Sequence, residues 1–164
     1  MASLRQIRRR IKSVKSTKQI TRAMQMVAAS KLKRAQGRLV SSRPYARKMD
    51  DLLSNLAAAS GQIENPLFEK REVKNIALVV IAGDKGLAGS YNINIMRKAE
   101  LFLLDHPKGH VQLVLIGKKA SEYFRRRGYP ILLSVPDLGG NLDLGRIQEI
   151  TRTITQDFLN GKVD

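Results

Sequence analysis

The sequence predicts an α/β fold in which a long N-terminal coiled-coil helix precedes a Rossmann-like domain with a parallel sheet. Apolar residues keep a helical period almost to residue 60, whereas short apolar runs alternate with amphipathic segments from Asn75 onward. Charge divides the chain similarly: the net charge is +16, and the first 49 residues hold fifteen Lys or Arg and no Asp or Glu. Three regions follow: an N-terminal helix over 1–60, a linker over 61–74 and the α/β domain over 75–164.

The N-terminal helix is predicted to begin after Ser3, a residue type that caps helix N-termini, and to carry a narrow apolar stripe. The stripe comprises a first part, Leu4, Ile7, Ile11 and Val14, and a second part, Ile20, Met24, Val27, Ala28, Leu32, Ala35 and Leu39. The two parts do not share a register, because Lys18, Thr21 and Gln25 would occupy the extrapolated seam. A narrow stripe is typical of one half of an antiparallel coiled coil, and no other segment is long enough to pair with it.

Pro44 is the predicted interruption of this helix. Proline in a helix interior costs about 3 kcal/mol or more, because it removes a hydrogen bond and clashes with the preceding turn. Helical spacing resumes at Tyr45, so we expect a kink or a short break within a long helix. At about 1.5 Å per residue, a helix of about 55 residues would be roughly 80 Å long.

The region after Asn75 predicts three strand–helix units. The strands are expected at Ile76–Ala82, Val111–Ile116 and Tyr129–Val135, and the helices at about Tyr91–Leu104, Lys118–Arg127 and Leu142–Asn160. The apolar runs are typical of strands buried on both faces. Their alternation with helices predicts a parallel sheet with right-handed crossovers. A fourth strand would be due at the last residues, so the domain is predicted to be incomplete at its C-terminus.

The glycine-rich loop from Gly83 to Gly89 follows the first predicted strand, where phosphate-binding loops of α/β proteins lie. Its G-x-x-G-x-x-G spacing matches neither the dinucleotide fingerprint nor the P-loop, and no acid ends the second strand. We therefore predict a tight turn that projects Asp84 and Lys85 outward, and no bound cofactor. Loops on a rigid scaffold often carry contacts, so this one remains a candidate interface.

The composition also narrows the possible functions. Without cysteine there are no disulfides and no thiolate metal sites. No apolar run reaches the roughly 18 residues of a membrane span. Serines, histidines and carboxylates form no catalytic pattern, so the chain is predicted not to be an enzyme by itself, and no metal site is predicted.

The basic helix leaves two classes of partner open. Fifteen cations suit nucleic-acid phosphates, so a basic nucleic-acid-binding module with an α/β domain is the alternative function. Against that alternative, the apolar stripe requires a hydrophobic partner helix, and no aromatic residue precedes Tyr45 to stack on bases. A lipid surface is disfavoured because the helix lacks Trp and Phe.

Two stretches resemble the γ subunit of F-type ATP synthase. Residues 5–36, above all the run TRAMQMVAASK at 21–31, are similar to the N-terminal helix of that family. Residues 83–94 are similar to its S-D-R-G-L-C-G loop, with Gly83, Lys85 and Ala88 in place of Ser, Arg and Cys, and residues 42–46 also fit. The resemblance covers the N-terminal helix and the first third of the α/β domain.

The resemblance implies a non-catalytic rotor stalk subunit of a proton-transporting F1Fo ATP synthase, which transmits torque between the membrane ring and the catalytic ring. The implied partners are the alpha and beta subunits of the F1 ring, the epsilon subunit, the membrane c-ring and a C-terminal helix of the same subunit that this chain lacks. Nucleic acid and direct membrane insertion are not expected. Because no transit peptide precedes the matching N-terminus, we expect a peripheral protein at the cytoplasmic face of a bacterial plasma membrane.

The resemblance also suggests roles for individual residues. It places Ile20, Met24 and Val27 in the shaft packing or its bearing surface. It places Lys85 and Arg97 against an acidic loop of the beta subunit.

Overall fold

The computed structural model describes residues 3–58, 65–107, 109–137 and 143–164. The chain divides into two compact units, Met1–Ile63 and Glu64–Asp164. The described part of the first unit is one long helix, and that of the second is a three-stranded sheet with three helices and a 3-10 turn. The predicted α/β class, a long helix followed by a parallel-sheet domain, is confirmed.

The long helix, α1, spans Leu4–Ala58. Ser3 caps its first turn, as predicted: the Ser3 hydroxyl accepts the Arg5 N–H at 3.3 Å, and the Gln6 side chain accepts the Ser3 N–H at 3.2 Å. The helix is continuous through Pro44, so the predicted short break is not observed. Proline removes one hydrogen bond from the ladder. The turns on either side keep theirs, and helix propagation is cooperative, so one missing bond does not end the helix.

The second unit contains a parallel sheet with the strand order β1-β2-β3. The strands are β1 at Ile76–Ile81, β2 at Val111–Ile116 and β3 at Ile131–Val135. The central strand β2 is buried almost throughout, as predicted. The same prediction is wrong for β1, where only Val80 is buried and Ile81 is 57% exposed. Strand β1 lies at one of the two edges of the described sheet, with a neighbouring strand on one side only, whereas β2 lies between two strands.

Three helices cover the two faces of this sheet: α2 at Tyr91–Leu104, α3 at Lys118–Arg125 and α4 at Leu144–Leu159. Helices α2 and α3 pack on one face, where the fully buried Phe124 contacts the cluster around Leu113 and Leu115. Helix α4 packs on the other face, where Ile150 meets Val114 and Ile116. The change of face after β3 is typical of a doubly wound, Rossmann-like sheet.

Two observed boundaries, the end of α3 and the start of β3, differ from the predicted ones, each because of a single residue. The helix ends at Arg125, two residues early, because the following turn places Gly128 in the left-handed region with φ of 69°. Strand β3 begins at Ile131 instead of Tyr129, since Pro130 has no N–H to donate to the ladder.

Helix α4 begins at Leu144, where the Asp143 carboxylate accepts the Gly145 N–H at 2.9 Å and caps the first turn. Leu142, where the sequence predicts the start, lies outside the described residues.

The segment that leads into β1, part of the predicted linker, packs on α4. The Arg71 guanidinium lies 4.7 Å from the centre of the Phe158 ring and donates to the Phe158 carbonyl oxygen at 2.7 Å. The Asp164 carboxylate accepts the N–H groups of Lys74 and Asn75 at 2.8 and 2.7 Å. The start of β1 is therefore fixed by contacts with residues almost ninety positions later.

Candidate functional site

The first candidate surface is the apolar stripe of α1. Every described residue of α1 is exposed, including the predicted shaft residues Ile20, Met24 and Val27, which are 57%, 48% and 57% exposed. Their spacing of four and three places these three side chains on one face of the helix. We call these three residues the mid-helix patch. Exposed contiguous apolar surface of this kind marks a site of interaction with another protein element.

Heptad counting separates the mid-helix patch from the rest of the stripe. Three of the four N-terminal stripe residues have an apolar counterpart four heptads later: Leu4 and Leu32, Ile7 and Ala35, and Ile11 and Leu39. One seam therefore connects Leu4–Ile11 with Leu32–Leu39, and the predicted change of register is confined to the residues between them. In a frame of 3.5 residues per turn, the mid-helix patch lies roughly 100° around the helix from this seam.

Polar residues occupy the seam between its two apolar parts. The Thr21 hydroxyl lies 3.0 Å from the carbonyl oxygens of both Thr17 and Lys18, so the helix backbone satisfies it. No acid precedes Asp50, and among the cations before it only Lys48 forms an ion pair within the described part of α1, with Asp51 at 3.6 Å. From Leu4 to Leu39, the exposed surface of α1 is thus an apolar stripe between cations without an acid partner in the helix.

The second candidate surface is the loop between β1 and α2, which contains the glycine-rich motif. The Asn92 side chain accepts the Gly83 N–H at 2.9 Å and donates to the Lys85 carbonyl oxygen at 3.5 Å. The Lys119 N–H donates to the Gly83 carbonyl oxygen at 3.1 Å. Residues 83–85 are therefore fixed from two sides, by the first turns of α2 and α3.

Asp84 does not project outward as predicted. One oxygen of its carboxylate, Oδ1, accepts the N–H of Lys118 at 2.9 Å and that of Asp137 at 3.0 Å. Lys118 begins α3 and Asp137 follows β3, so the contact lies at the carboxyl edge of the sheet. N–H groups at the start of a helix lack backbone partners and favour an anion. The sequence could not reveal this contact, because its donors are backbone groups 34 and 53 positions away.

The two cations expected to contact a partner are both exposed. Lys85 lies in the loop beside Asp84, and Arg97 lies in the second turn of α2. Neither forms an ion pair with any acid in the described part of the chain. Their positive charge is therefore not neutralised within the described domain.

Apolar residues missed by the sequence interpretation surround these cations. Leu87, at the tip of the loop, is 92% exposed and has a left-handed φ of 60°. Three exposed side chains share one face of α2 with Arg97: Ile93, Leu101 and Leu104. Because α2 also has apolar residues facing the core, periodicity alone does not show which apolar face is covered.

Other kinds of site find no support among the described residues. They contain no group of three His, Cys, Asp or Glu side chains that could hold a metal ion. Within the same ranges, no helix has both the length and the apolar character needed to cross a bilayer.

Comparison with known proteins adds direct evidence of kinship. The ATP synthase family model matches residues 3–164. The ATP synthase gamma chain of Desulforamulus reducens is 48% identical over 164 residues, and that of Chloroherpeton thalassium is 42% identical over 171 residues. Both alignments cover the whole chain but only 57% and 56% of the relative, so the chain spans little more than half the length of these relatives.

A solved structure agrees with these relatives. A chain from the central stalk and c-ring of Tetrahymena thermophila mitochondrial ATP synthase matches with a TM-score of 0.67 and 28% identity. The match covers 84% of this chain and 59% of that one. None of these matches supports the nucleic-acid-binding alternative. The family model extends over α1 and the α/β domain alike, and this chain therefore belongs to the ATP synthase family, alongside relatives named as gamma chains.

Proposed function

We propose that this chain is the N-terminal portion of a gamma subunit, the rotor stalk of a proton-transporting F1Fo ATP synthase. The observation that carries the proposal is α1, a helix of 55 residues whose apolar stripe is entirely exposed. A stripe of that length requires a partner equally long, and a shaft made of two paired helices supplies one. In this role the chain transmits torque and catalyses no reaction by itself.

The seam of α1 pairs, on this proposal, with a C-terminal helix of the same subunit. The alpha and beta subunits of the F1 ring surround the shaft, and the epsilon subunit and the membrane c-ring contact its far end. The assembly places the chain peripherally, at the cytoplasmic face of a bacterial plasma membrane. Support comes from family membership and from bacterial relatives that are longer than this chain.

The mid-helix patch is suited to a bearing. It lies roughly 100° from the seam, so a helix paired along the seam leaves Ile20, Met24 and Val27 facing sideways. Apolar contact is non-directional and depends on area, so it changes little as one surface slides over another. We therefore assign the mid-helix patch to contact with the surrounding ring, and the seam to packing within the shaft.

Lys85 and Arg97 are suited to transient contact with an acidic loop of the beta subunits. Both are exposed and unpaired with any described acid, so binding an external carboxylate breaks no existing ion pair within the described domain. Exposed ion pairs contribute about 0–1 kcal/mol each, which allows them to form and break in every turn. The apolar side chains around Arg97 extend this surface.

Charge reversal in the assembled complex tests the proposal. The variant carries Lys85→Glu and Arg97→Glu, and the assay measures protons pumped per ATP hydrolysed. We expect that ratio to fall several-fold while ATP hydrolysis continues, because the catalytic sites lie on other subunits. The matched control, Lys70→Glu with Lys98→Glu, makes the same change of charge at other exposed positions of this domain and should retain coupling. Full coupling in the first variant would show that the assigned contact is wrong.

A further inference from the structure

Asp84 connects all three loops at the carboxyl edge of the sheet. Its own loop follows β1, and its Oδ1 atom accepts the N–H of Lys118 after β2 and that of Asp137 after β3, at 2.9 and 3.0 Å. Helix α4 joins the same network, because Arg146 donates to the Asp137 carbonyl oxygen at 2.8 Å. One half-buried carboxylate therefore links three segments that are far apart in the sequence.

This edge is where open α/β sheets bind their ligands, and anions bind there through backbone N–H groups. Here a carboxylate of the chain itself takes two of those N–H groups. Hydrogen bonds from an N–H to a charged oxygen are about twice as strong as neutral ones. The arrangement therefore stabilises the loop conformation instead of leaving these two groups for a ligand.

The loop that Asp84 fixes carries exposed residues at its tip. Lys85 is its immediate neighbour, and Leu87 is 92% exposed in a left-handed conformation that a residue with a Cβ adopts only under constraint. Without an anchor inside the domain, the loop would move Leu87 out of its left-handed conformation. The exposed Leu87 side chain makes little packing contact that would oppose this change. The hydrogen bonds of Asp84, together with those of Asn92, supply the anchor.

We propose that Asp84 is a positioning residue, which ties the loop of residues 83–89 to the sheet so that Lys85 is presented to its partner on a rigid support. The part of this inference that concerns Lys85 rests on the function proposed above. Asp84 itself contacts no partner: it transmits force from the loop into the sheet through Lys118 and Asp137.

Two substitutions at Asp84 separate hydrogen bonding from charge. Asp84→Ala and Asp84→Asn remove the same negative charge, but only the asparagine keeps an oxygen that can accept both N–H groups. Asp105→Ala serves as the control, since Asp105 is an exposed carboxylate at the end of α2. Each variant is made in the full-length subunit within the assembled complex.

The first readout is hydrogen exchange of the Lys118 and Asp137 amides. Loss of a hydrogen bond to a charged group should accelerate their exchange about tenfold in Asp84→Ala, with an intermediate effect in Asp84→Asn and none in Asp105→Ala. The second readout is the number of protons pumped per ATP, which should fall in Asp84→Ala and recover in part in Asp84→Asn. Unchanged exchange in Asp84→Ala would overturn the proposal, and so would faster exchange with full coupling.

The two proposals fail in different ways. If the reversal of Lys85 and Arg97 uncouples the complex while Asp84→Ala alters neither readout, the positioning role is wrong and the proposed function stands. If Asp84→Ala accelerates exchange and uncouples while the reversal has no effect, the contact assigned to Lys85 is wrong.

Discussion

Replacing Gly117 with alanine tests how closely the exits of β1 and β2 approach each other. Gly117 has a φ of 99°, and a Cβ atom added there would lie 2.0 Å from the carbonyl oxygen of Ala82. Real Cβ atoms essentially never approach another atom within 3.0 Å, so the two segments would have to separate by about 1 Å. The displacement would occur where the Gly117 N–H donates to the Val135 carbonyl oxygen at 2.9 Å.

The expected loss of stability has two parts. Gly117 combines its φ of 99° with a ψ of 145°, a region that is occupied almost only by glycine, and a residue with a Cβ there costs about 1–3 kcal/mol. Separation also weakens two 2.9 Å bonds, from Gly117 to Val135 and from Ala82 to Ile116, each contributing about 1 kcal/mol. Gly117→Ala should therefore lower the free energy of unfolding of the α/β domain by about 3 kcal/mol. Gly128→Ala is the matched control: its φ is 69°, but nothing lies within 4 Å of the added Cβ, so we expect about 1 kcal/mol.

Hydrogen exchange of the β2 amides measures this loss, because β2 is the central strand and its amides exchange when the domain opens. A loss of 3 kcal/mol corresponds to roughly 100-fold faster exchange, against about five-fold for the control. Equal acceleration in the two variants would refute the argument from close approach. Backbone conformation alone would then explain both effects.

Two further predictions concern the core and the start of β1. Phe124→Ala should lower the free energy of unfolding by about 3–5 kcal/mol, because Phe124 is fully buried and contacts two tyrosine rings edge-on. The control Ile93→Ala, at a site 67% exposed, should lower it by under about 0.5 kcal/mol. Hydrogen exchange of the β2 amides measures both, and a loss for Phe124→Ala as small as that for Ile93→Ala would contradict the packing. The N–H groups of Asn75 and Lys74 hold the pKa of Asp164 below its ordinary value of 3.8, so its stabilising contribution is present at neutral pH and is lost as pH falls through that lowered pKa. In Asp164→Asn, the hydrogen-exchange rates of these two amides should therefore depend less on pH below 3.8. The same pH dependence in the variant and in the unchanged protein would contradict the assigned hydrogen bonds.

Local pattern was sufficient to predict most elements of the α/β domain. The bounds of β2 agree with prediction because its apolar run is flanked by His110 and Gly117, and α2 agrees because its helical period is uninterrupted. The start of α1 was also predictable, since the Ser3 cap depends on residues only two and three positions away. In each case the forces that define the element act between residues close in sequence.

The features that could not be predicted depend on contacts between residues far apart in the sequence. The apolar run of β1 was indistinguishable from that of β2, but β1 lies at an edge of the described sheet and its Ile81 is exposed. The direction of Asp84 depends on donors in two distant loops. The outer face of α2 was missed because both of its faces carry apolar residues, and burial separates them only after the helix packs.

The proposed rotor role requires two kinds of contact, and we assign them to different places in the chain. On the proposed function, the mid-helix patch of α1 must slide, and apolar area tolerates sliding because it has no preferred direction. Lys85 must instead transmit force through an exposed ion pair. It can do so only if the loop that carries it is held in a fixed position. The directional hydrogen bonds of the loop are therefore needed within the domain, between Asp84 and the sheet, and not across the interface. A variant that weakens them should uncouple rotation from catalysis without removing any residue that contacts the ring.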